Sequence, residues 1–286
     1  MFTDRREDVL ISASTLAQLL EADQALFVLA IRSPDTTCPR PFESAPRLPG
    51  AQDADMTVDF AAPSHPQHGS RPLPDVAMLQ ETVRRLGLCK DRLVVVYDHD
   101  GNLLAARVWW VLRWAGFERV VMLDGGFAAW ASAGGPIVTE VPPPPASSNV
   151  SVHPGGMPEL DADSAARLAR TGVLLDTRIA PNYCGGDVPA GSPARGHIPG
   201  AVNVPAPDNL TPDGHFSDFV TLRSLYTATG ADGSRPVGVY CGAGVSAAHT
   251  VAALMMLGID APMYAGSWSA WSADPCRPVA IGPEPG

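Results

Sequence analysis

The chain has 286 residues, a length that suggests about two domains, and it is 45% hydrophobic and 17% charged, the balance of an ordinary globular protein. Its net charge of -10, without a basic cluster, argues against nucleic acid or an anionic membrane as partner. It has no run of about 18 apolar residues and no apolar signal region, so we expect neither a membrane span nor a secretory signal, and a cytoplasmic protein.

Five cysteines stand at positions 38, 89, 184, 241 and 276. The odd number and the absence of a C-x-x-C pair argue against a disulfide framework and a zinc site, so we expect no bound metal. A single cysteine is most often a small buried hydrophobe. We interpret four of the five in this way, as structural or incidental residues, whereas the surroundings of Cys241 favour a different role.

Three short stretches of the first half recur in the same order in the second half. The first half contains PRLPGA (46–51), RLVVVYD (92–98) and VVMLDGGFAAW (120–130), and the second contains GHIPGA (196–201), PVGVYC (236–241) and PMYAGSWSAW (262–271). The spacing is nearly equal, with 27 residues from Asp98 to Gly125 and 25 from Cys241 to Gly266. This repeat predicts two homologous domains.

The predicted domains span residues 9–137 and 157–284. Between them, residues 138–156 contain four consecutive prolines, which favour an extended and semi-rigid linker.

The second half alternates helix and strand patterns along the chain. We predict helices at 161–172 and 246–258, and short apolar strands at 173–178, 237–240 and 261–264. Such alternation is typical of an α/β fold, in which helices cover both faces of a parallel sheet. Ligands of these sheets bind beyond the carboxyl ends of the strands, and Cys241 directly follows one of them.

Cys241 begins the loop CGAGVS, which leads from a strand into a helix. The free N–H groups of a helix start favour a nearby thiolate, the nucleophilic form of cysteine. Gly242, Ala243 and Gly244 are small enough for the backbone to fold around the sulfur and to present successive N–H groups to a thiolate or a persulfide anion. The matching loop of the first half carries Asp98 instead of a cysteine. We therefore predict that the first domain is catalytically silent and serves as support and as one wall of a cleft.

From about residue 9 to 281 the chain resembles the tandem-domain rhodanese family of sulfurtransferases. The resemblance rests on YCGAGVSAAH, GHIPGAVNVP (196–205), DTR (176–178) and YAGSWSAW in the second half, and on AARVWWVLRWAG and LDGGFAAW in the first. It implies two rhodanese-like α/β domains, each with a mainly parallel sheet flanked by helices, of which only the second is active.

The resemblance also implies the chemistry of the site. Cys241 would take a sulfur atom from a small anionic donor, thiosulfate or 3-mercaptopyruvate, and hold it as a persulfide. A thiol or cyanide would then accept the sulfur, with a thioredoxin-like protein among the candidate acceptors. The loop residues that cradle the persulfide would be Gly242, Ala243, Gly244, Val245 and Ser246, and no organic cofactor is expected.

The sequence departs from the family at positions that bear on the donor. The loop lacks basic residues and resembles the mercaptopyruvate-preferring branch, but Ala243 stands where that branch has a serine, and Arg71 stands at the position of its histidine. Asn182 replaces an arginine that would clamp a carboxylate donor. Arg178 and Arg71 are candidates to compensate, so the preferred donor stays open between 3-mercaptopyruvate and thiosulfate.

Two other functions use comparable features. A phosphatase of the C-x5-R type needs an arginine six residues after the cysteine, where this chain has Ala247. A non-catalytic binding or sulfur-carrier module is the second alternative, and the missing arginine at Asn182 and missing hydroxyl at Ala243 keep it open.

Overall fold

The structure, a computed structural model, describes residues 2–22, 24–34, 42–186 and 195–286. The first half forms a five-stranded parallel sheet of order β1-β5-β4-β2-β3. Its strands are β1 (Leu10–Ile11), β2 (Leu26–Arg32), β3 (Gln52–Asp55), β4 (Leu93–Tyr97) and β5 (Val120–Leu123). Its helices are α1 (Ala13–Glu21), α2 (Met56–Asp59), α3 (Val76–Arg85), α4 (Leu103–Trp114) and α5 (Gly126–Ser132).

The second half forms a parallel sheet of order β7-β6-β8. Its strands are β6 (Val173–Asp176), β7 (Val202–Asn203) and β8 (Val237–Tyr240), and its helices are α6 (Ala162–Thr171), α7 (Ala180–Cys184), α8 (Phe219–Ala228), α9 (Ser246–Met256) and α10 (Ser267–Trp271). Short 3₁₀ helices occur at Arg6–Asp8, Phe42–Ser44 and Ala206–Asn209. The α/β fold with mainly parallel sheets is therefore confirmed.

The strand predicted at 261–264 is reduced to one paired residue. Met263 bridges Val239 and Glu159 in parallel, without forming a named strand. Pro262 accepts a hydrogen bond from Val239 but has no N–H of its own to donate, and the chain turns again at Tyr264. With these bridges included, the second sheet follows the strand order of the first.

The same local contacts are built in both halves. The hydroxyl of Tyr97, at the end of β4, accepts a hydrogen bond from the N–H of Leu48 at 3.0 Å. The hydroxyl of Tyr240, at the end of β8, accepts one from the N–H of Ile198 at 3.1 Å. Because Leu48 and Ile198 occupy the same place in the repeated PRLPGA and GHIPGA stretches, the sequence repeat corresponds to a repeated structure.

One apolar cluster runs through both halves, and α4 packs against α9 within it. Between Ser132 and Ala162 no helix or strand is assigned, apart from bridges at Val138 and Glu159, as a linker requires. The exact domain boundaries remain predictions. No helix within the described ranges has both the length and the apolar character needed to cross a membrane.

Candidate active site

Cys241 lies directly after β8 and five residues before α9, at the carboxyl edge of the sheet. Its side chain is buried, and the residue is 1% exposed. The N–H of Gly244 donates a hydrogen bond to its Sγ at 3.0 Å. Gly244 has φ +75°, and a Cβ there would lie 2.8 Å from the carbonyl oxygen of Ala265, so the tight turn requires glycine.

The backbone of Cys241 is held by the turn that begins α10. Its N–H donates to the hydroxyl of Ser267 at 3.2 Å, and its carbonyl accepts from the N–H of Trp268 at 2.9 Å. The Ser267 hydroxyl also lies 3.9 Å from the Cys241 sulfur. Ser267 has φ +52°, uncommon for a residue other than glycine, so the turn holds it in a restrained conformation. Sequence reasoning missed Ser267, because its role depends on a contact between two loops.

Arg178 approaches the loop from the end of β6. Its guanidinium bonds to Asp176 and to the carbonyl of Gly196, and its Cζ lies 4.6 Å from the centre of the Trp268 ring. A Cβ on Gly242 would lie 3.9 Å from the Arg178 Cδ. Burial works to lower the pKa of Arg178, but the Asp176 carboxylate outweighs it, so the pKa is raised. This cation stands beside the loop with most of its hydrogen-bonding capacity already used.

Arg107 reaches the same loop from α4 of the first half. Its side chain is fully buried, and Nη1 donates to the carbonyl of Gly244 at 3.3 Å. Its Nη2 lies 3.2 Å from the carbonyl of Arg71 and 3.3 Å from that of Pro72. Burial lowers the pKa of Arg107 to about 10, and the proximity of Cys241 works in the opposite direction. Arg107 was not predicted as a site residue, although a lone charge in the apolar run LLAARVWW indicates a special role.

The remaining predicted residues lie in the loop, at the start of α9 and on α7. Ser246 begins α9, and its hydroxyl lies 3.0 Å from that of Thr177. Asn182 lies on α7, where its N–H and its carbonyl bond to the backbone of Ile179 and Gly196. Ala243, which has no hydroxyl, is half-buried in the loop, and Val245 is buried.

Two histidines, His65 and His68, stand close in the sequence to Arg71, which occupies the position of the family's histidine. His65 and His68 are exposed and stack on each other, with ring centres 4.9 Å apart. They line an open cleft of about 720 Å³ between the halves, together with Tyr264 and Gly266. Cys38 lies outside the described residues.

The loop of the first half that matches the Cys241 loop holds a carboxylate. The side chain of Asp98 accepts four backbone hydrogen bonds of 2.7–2.9 Å, from the N–H groups of Asp100, Asn102, Leu104 and Ala105. Burial raises the pKa of Asp98, and these bonds oppose the rise. A loop of this length at a helix start can therefore bring several N–H groups onto one anion.

Comparisons with known proteins identify the fold and the family. A model of the rhodanese-like domain matches residues 12–133 and 161–274. SseB of Mycobacterium tuberculosis H37Rv, whose name assigns it provisionally to the thiosulfate sulfurtransferases, is 41% identical over 283 residues, covering 97% of this chain and 98% of its own. The 3-mercaptopyruvate sulfurtransferase of Escherichia coli K12 is 34% identical, covering 73% of this chain and 76% of its own. The crystal structure of YnjE superposes with a TM-score of 0.84 at 24% identity, covering 96% of this chain and 68% of that one. The chain therefore belongs to the rhodanese family of sulfurtransferases and carries two rhodanese-like domains.

Proposed function

We propose that this enzyme transfers the outer sulfur of thiosulfate or 3-mercaptopyruvate to a thiol or to cyanide, through a persulfide on Cys241. The observation that carries the proposal is the hydrogen bond from the Gly244 N–H to the Cys241 sulfur at 3.0 Å. The sulfur lies just before the N-terminus of α9, and the free N–H groups of a helix start favour a negative sulfur.

The Asp98 loop supports the proposal with an internal comparison. Asp98 and Cys241 each stand five residues before a helix, α4 or α9, and the glycine three residues later has φ +64° or +75°. A carboxylate oxygen is two bonds from Cβ, and so is the outer sulfur of a persulfide. The N–H groups of Ala243, Val245 and Ala247 correspond to three of the four donors on Asp98, and by this correspondence we expect them to bind a persulfide. Hydrogen bonds to a charged acceptor contribute roughly 1.5–3 kcal/mol each.

The reaction consists of two displacements at sulfur. The Cys241 thiolate attacks the outer sulfur of the donor, a bond between the two sulfurs forms, and the donor's bond to that sulfur breaks. Sulfite leaves with the electron pair from thiosulfate, or the pyruvate enolate leaves from 3-mercaptopyruvate and takes a proton. Cyanide or a thiolate then attacks the outer sulfur, and the electron pair of the broken S–S bond returns to Cys241.

The charges around the loop suit an anionic donor. Arg178 and Arg107 flank the Cys241 loop at Gly242 and Gly244, and the carbonyl of Arg71 lies 3.2 Å from Arg107. The absence of a basic residue from the loop itself favours 3-mercaptopyruvate, whereas Asn182 in place of an arginine favours thiosulfate. The preferred donor therefore stays open between the two, and kcat/KM for both donors, measured side by side, decides between them.

Replacing the proposed nucleophile tests the function. We expect Cys241→Ser to lower thiocyanate formation from either donor by at least roughly 10³-fold, because the hydroxyl is a far weaker nucleophile and cannot carry the sulfur. Cys184→Ser, which changes a half-buried cysteine outside the loop, is the matched control and should keep the wild-type rate. Mass spectrometry after donor treatment should show one added sulfur in the control and none in Cys241→Ser. Unchanged turnover in Cys241→Ser would contradict the proposal, and a wild type that binds sulfur without passing it on would favour the carrier module.

A further inference from the structure

Arg107 is a buried charge that forms no ion pair with an acidic side chain among the residues that the structure describes. Its hydrogen bonds all go to neutral carbonyl groups, those of Gly244, Arg71 and Pro72. Its Nε has no hydrogen-bond partner within the described part of the chain. A buried cation is costly unless an anion or several hydrogen bonds compensate it. A thiolate at Cys241 would stabilise this cation, and Glu159 acts in the same direction more weakly.

The contact with Gly244 also fixes the orientation of a peptide group. A trans peptide is planar, so the carbonyl of Gly244 and the N–H of Val245 point in opposite directions. Because the Gly244 carbonyl points toward Arg107, the N–H of Val245 points away from it. In the first half the corresponding N–H, that of Asn102, donates to the Asp98 carboxylate at 2.8 Å.

We propose that Arg107, from the domain whose loop carries Asp98 in place of the cysteine, is a positioning residue for sulfur transfer. It holds the Gly244–Val245 peptide with the N–H facing the sulfur of Cys241, and it supplies a buried positive charge that offsets the thiolate and the persulfide. The inference rests on the proposed function, and it makes the active site incomplete without the first domain.

A second contact joins the two domains in the reverse direction, from α9 of the second half to the Asp98 loop of the first. His249 of α9 lies against the backbone of Gly101 in the Asp98 loop. Burial lowers the pKa of His249 to about 4, against the effect of Gly101, so this contact is uncharged near neutral pH. A neutral contact suffices where Asp98 already has four hydrogen bonds. The charged side chain, Arg107, instead contacts the Cys241 loop, in which the anion would form and be consumed during the proposed reaction.

Other charges near the loop define the baseline for a test. Arg178 faces Cys241 from β6 and is paired with Asp176, and Arg71 and Glu159 act on Arg107. Because none of these changes in an Arg107 variant, a shift in the reactivity of the sulfur reports on the guanidinium itself.

The test compares Arg107→Gln, Arg107→Lys and the control Arg113→Gln, which removes a partly exposed arginine from the same helix.

The first readout is the pH dependence of iodoacetamide alkylation of Cys241 without any sulfur donor. We expect the midpoint of Arg107→Gln to rise by about one pH unit, with about a 10-fold slower reaction at neutral pH, because the thiolate loses a nearby cation. Arg107→Lys should keep the midpoint but lose about 10-fold in kcat/KM, since one ammonium cannot hold Gly244 and Pro72 together. Arg113→Gln should change neither.

The outcomes separate this inference from the proposed function. If the wild type forms no persulfide, the proposed function fails, whereas the alkylation profile still reports on Arg107. If the wild type forms a persulfide and Arg107→Gln shows the same alkylation midpoint and the same persulfide yield, the inference is wrong, even when thermal stability falls. Should Arg107→Gln not fold, wild-type kcat/KM in Arg107→Lys would overturn it.

Discussion

Cys241 and Asp98 occupy corresponding positions in the loops of the two domains, each five residues before a helix. The Asp98 loop is already filled by a permanent carboxylate, which accepts four backbone N–H groups. The side chain of Cys241 is shorter by one atom, and its sulfur accepts one hydrogen bond, from the N–H of Gly244. The outer sulfur of the proposed persulfide would add the missing atom at the position that a carboxylate oxygen occupies on Asp98.

At the same scale, His249 should make stability depend on pH. Its pKa is lowered to about 4 by burial, so the unfolded chain binds the proton more strongly. The contribution of the neutral ring is therefore complete above about pH 6.5 and is lost as the pH falls toward 4, by about 3 kcal/mol in all. We expect urea unfolding to show this decrease in the wild type and a smaller one in His249→Gln, since glutamine takes up no proton. His99, whose pKa burial also lowers to about 4, acts in the same direction. An equal pH dependence in His249→Gln and wild type would contradict the assignment.

At the scale of elements, the turn between β8 and α9 decides the shape of the site. Ser267 and Trp268 fix both backbone ends of Cys241, and Gly244 closes the turn over the sulfur. The axis of α9 sets the direction in which the first N–H groups of that helix point. The loop is therefore shaped by the neighbouring α10 turn as well as by its own sequence.

Two glycines of this loop should respond differently to alanine. In Gly244→Ala the new Cβ meets the carbonyl oxygen of Ala265 at 2.8 Å with φ at +75°, so the loop must shift and its N–H leaves the sulfur. We expect a loss of about 1–2 kcal/mol in stability and at least about 10-fold in kcat/KM. Gly242→Ala is the matched control, because its Cβ would meet only the Arg178 Cδ at 3.9 Å. Equal rates for the two variants would show that the Gly244 turn is not needed.

At the scale of the whole molecule, the two domains are joined by more than a linker. The helix that follows each loop, α4 or α9, packs against the other, and one apolar cluster contains residues of both. Arg107 adds a polar contact across this boundary, to the carbonyl of Gly244. A large apolar interface of this kind restricts independent domain motion.

This packing predicts that the domains unfold together. We expect a single transition in calorimetry, with the calorimetric and van't Hoff enthalpies nearly equal, because separating the domains would expose the apolar faces of α4 and α9 to water. Circular dichroism and the fluorescence of Trp109 and Trp110, both buried in α4, should report the same midpoint. Two resolved transitions would show that the shared cluster contributes little.

Much of the fold could be predicted from the sequence, since it is encoded in local patterns. The apolar strand VGVY became β8, and the helix predicted at 246–258 became α9, Ser246–Met256. The strand at 261–264 was predicted too long, because an apolar run does not show how many of its N–H groups can pair. The roles of Arg178 and Arg71 as substitutes for the arginine missing at Asn182 stay predictions. Arg178 already donates hydrogen bonds to Asp176 and to the carbonyl of Gly196.

The sequence by itself determined the duplication, the parallel α/β architecture and Cys241 as the candidate nucleophile, because periodicity, turn residues and a cysteine before a helix act over a few neighbouring positions. Only the tertiary structure decided that Arg107 and Ser267 complete the surroundings of the sulfur. They lie 134 and 26 residues from Cys241 along the chain, and they reach it through the packing of two helices and of two loops. The strength of a contact depends on distance in space and on exclusion of water, and the order of residues along the chain specifies neither of these directly.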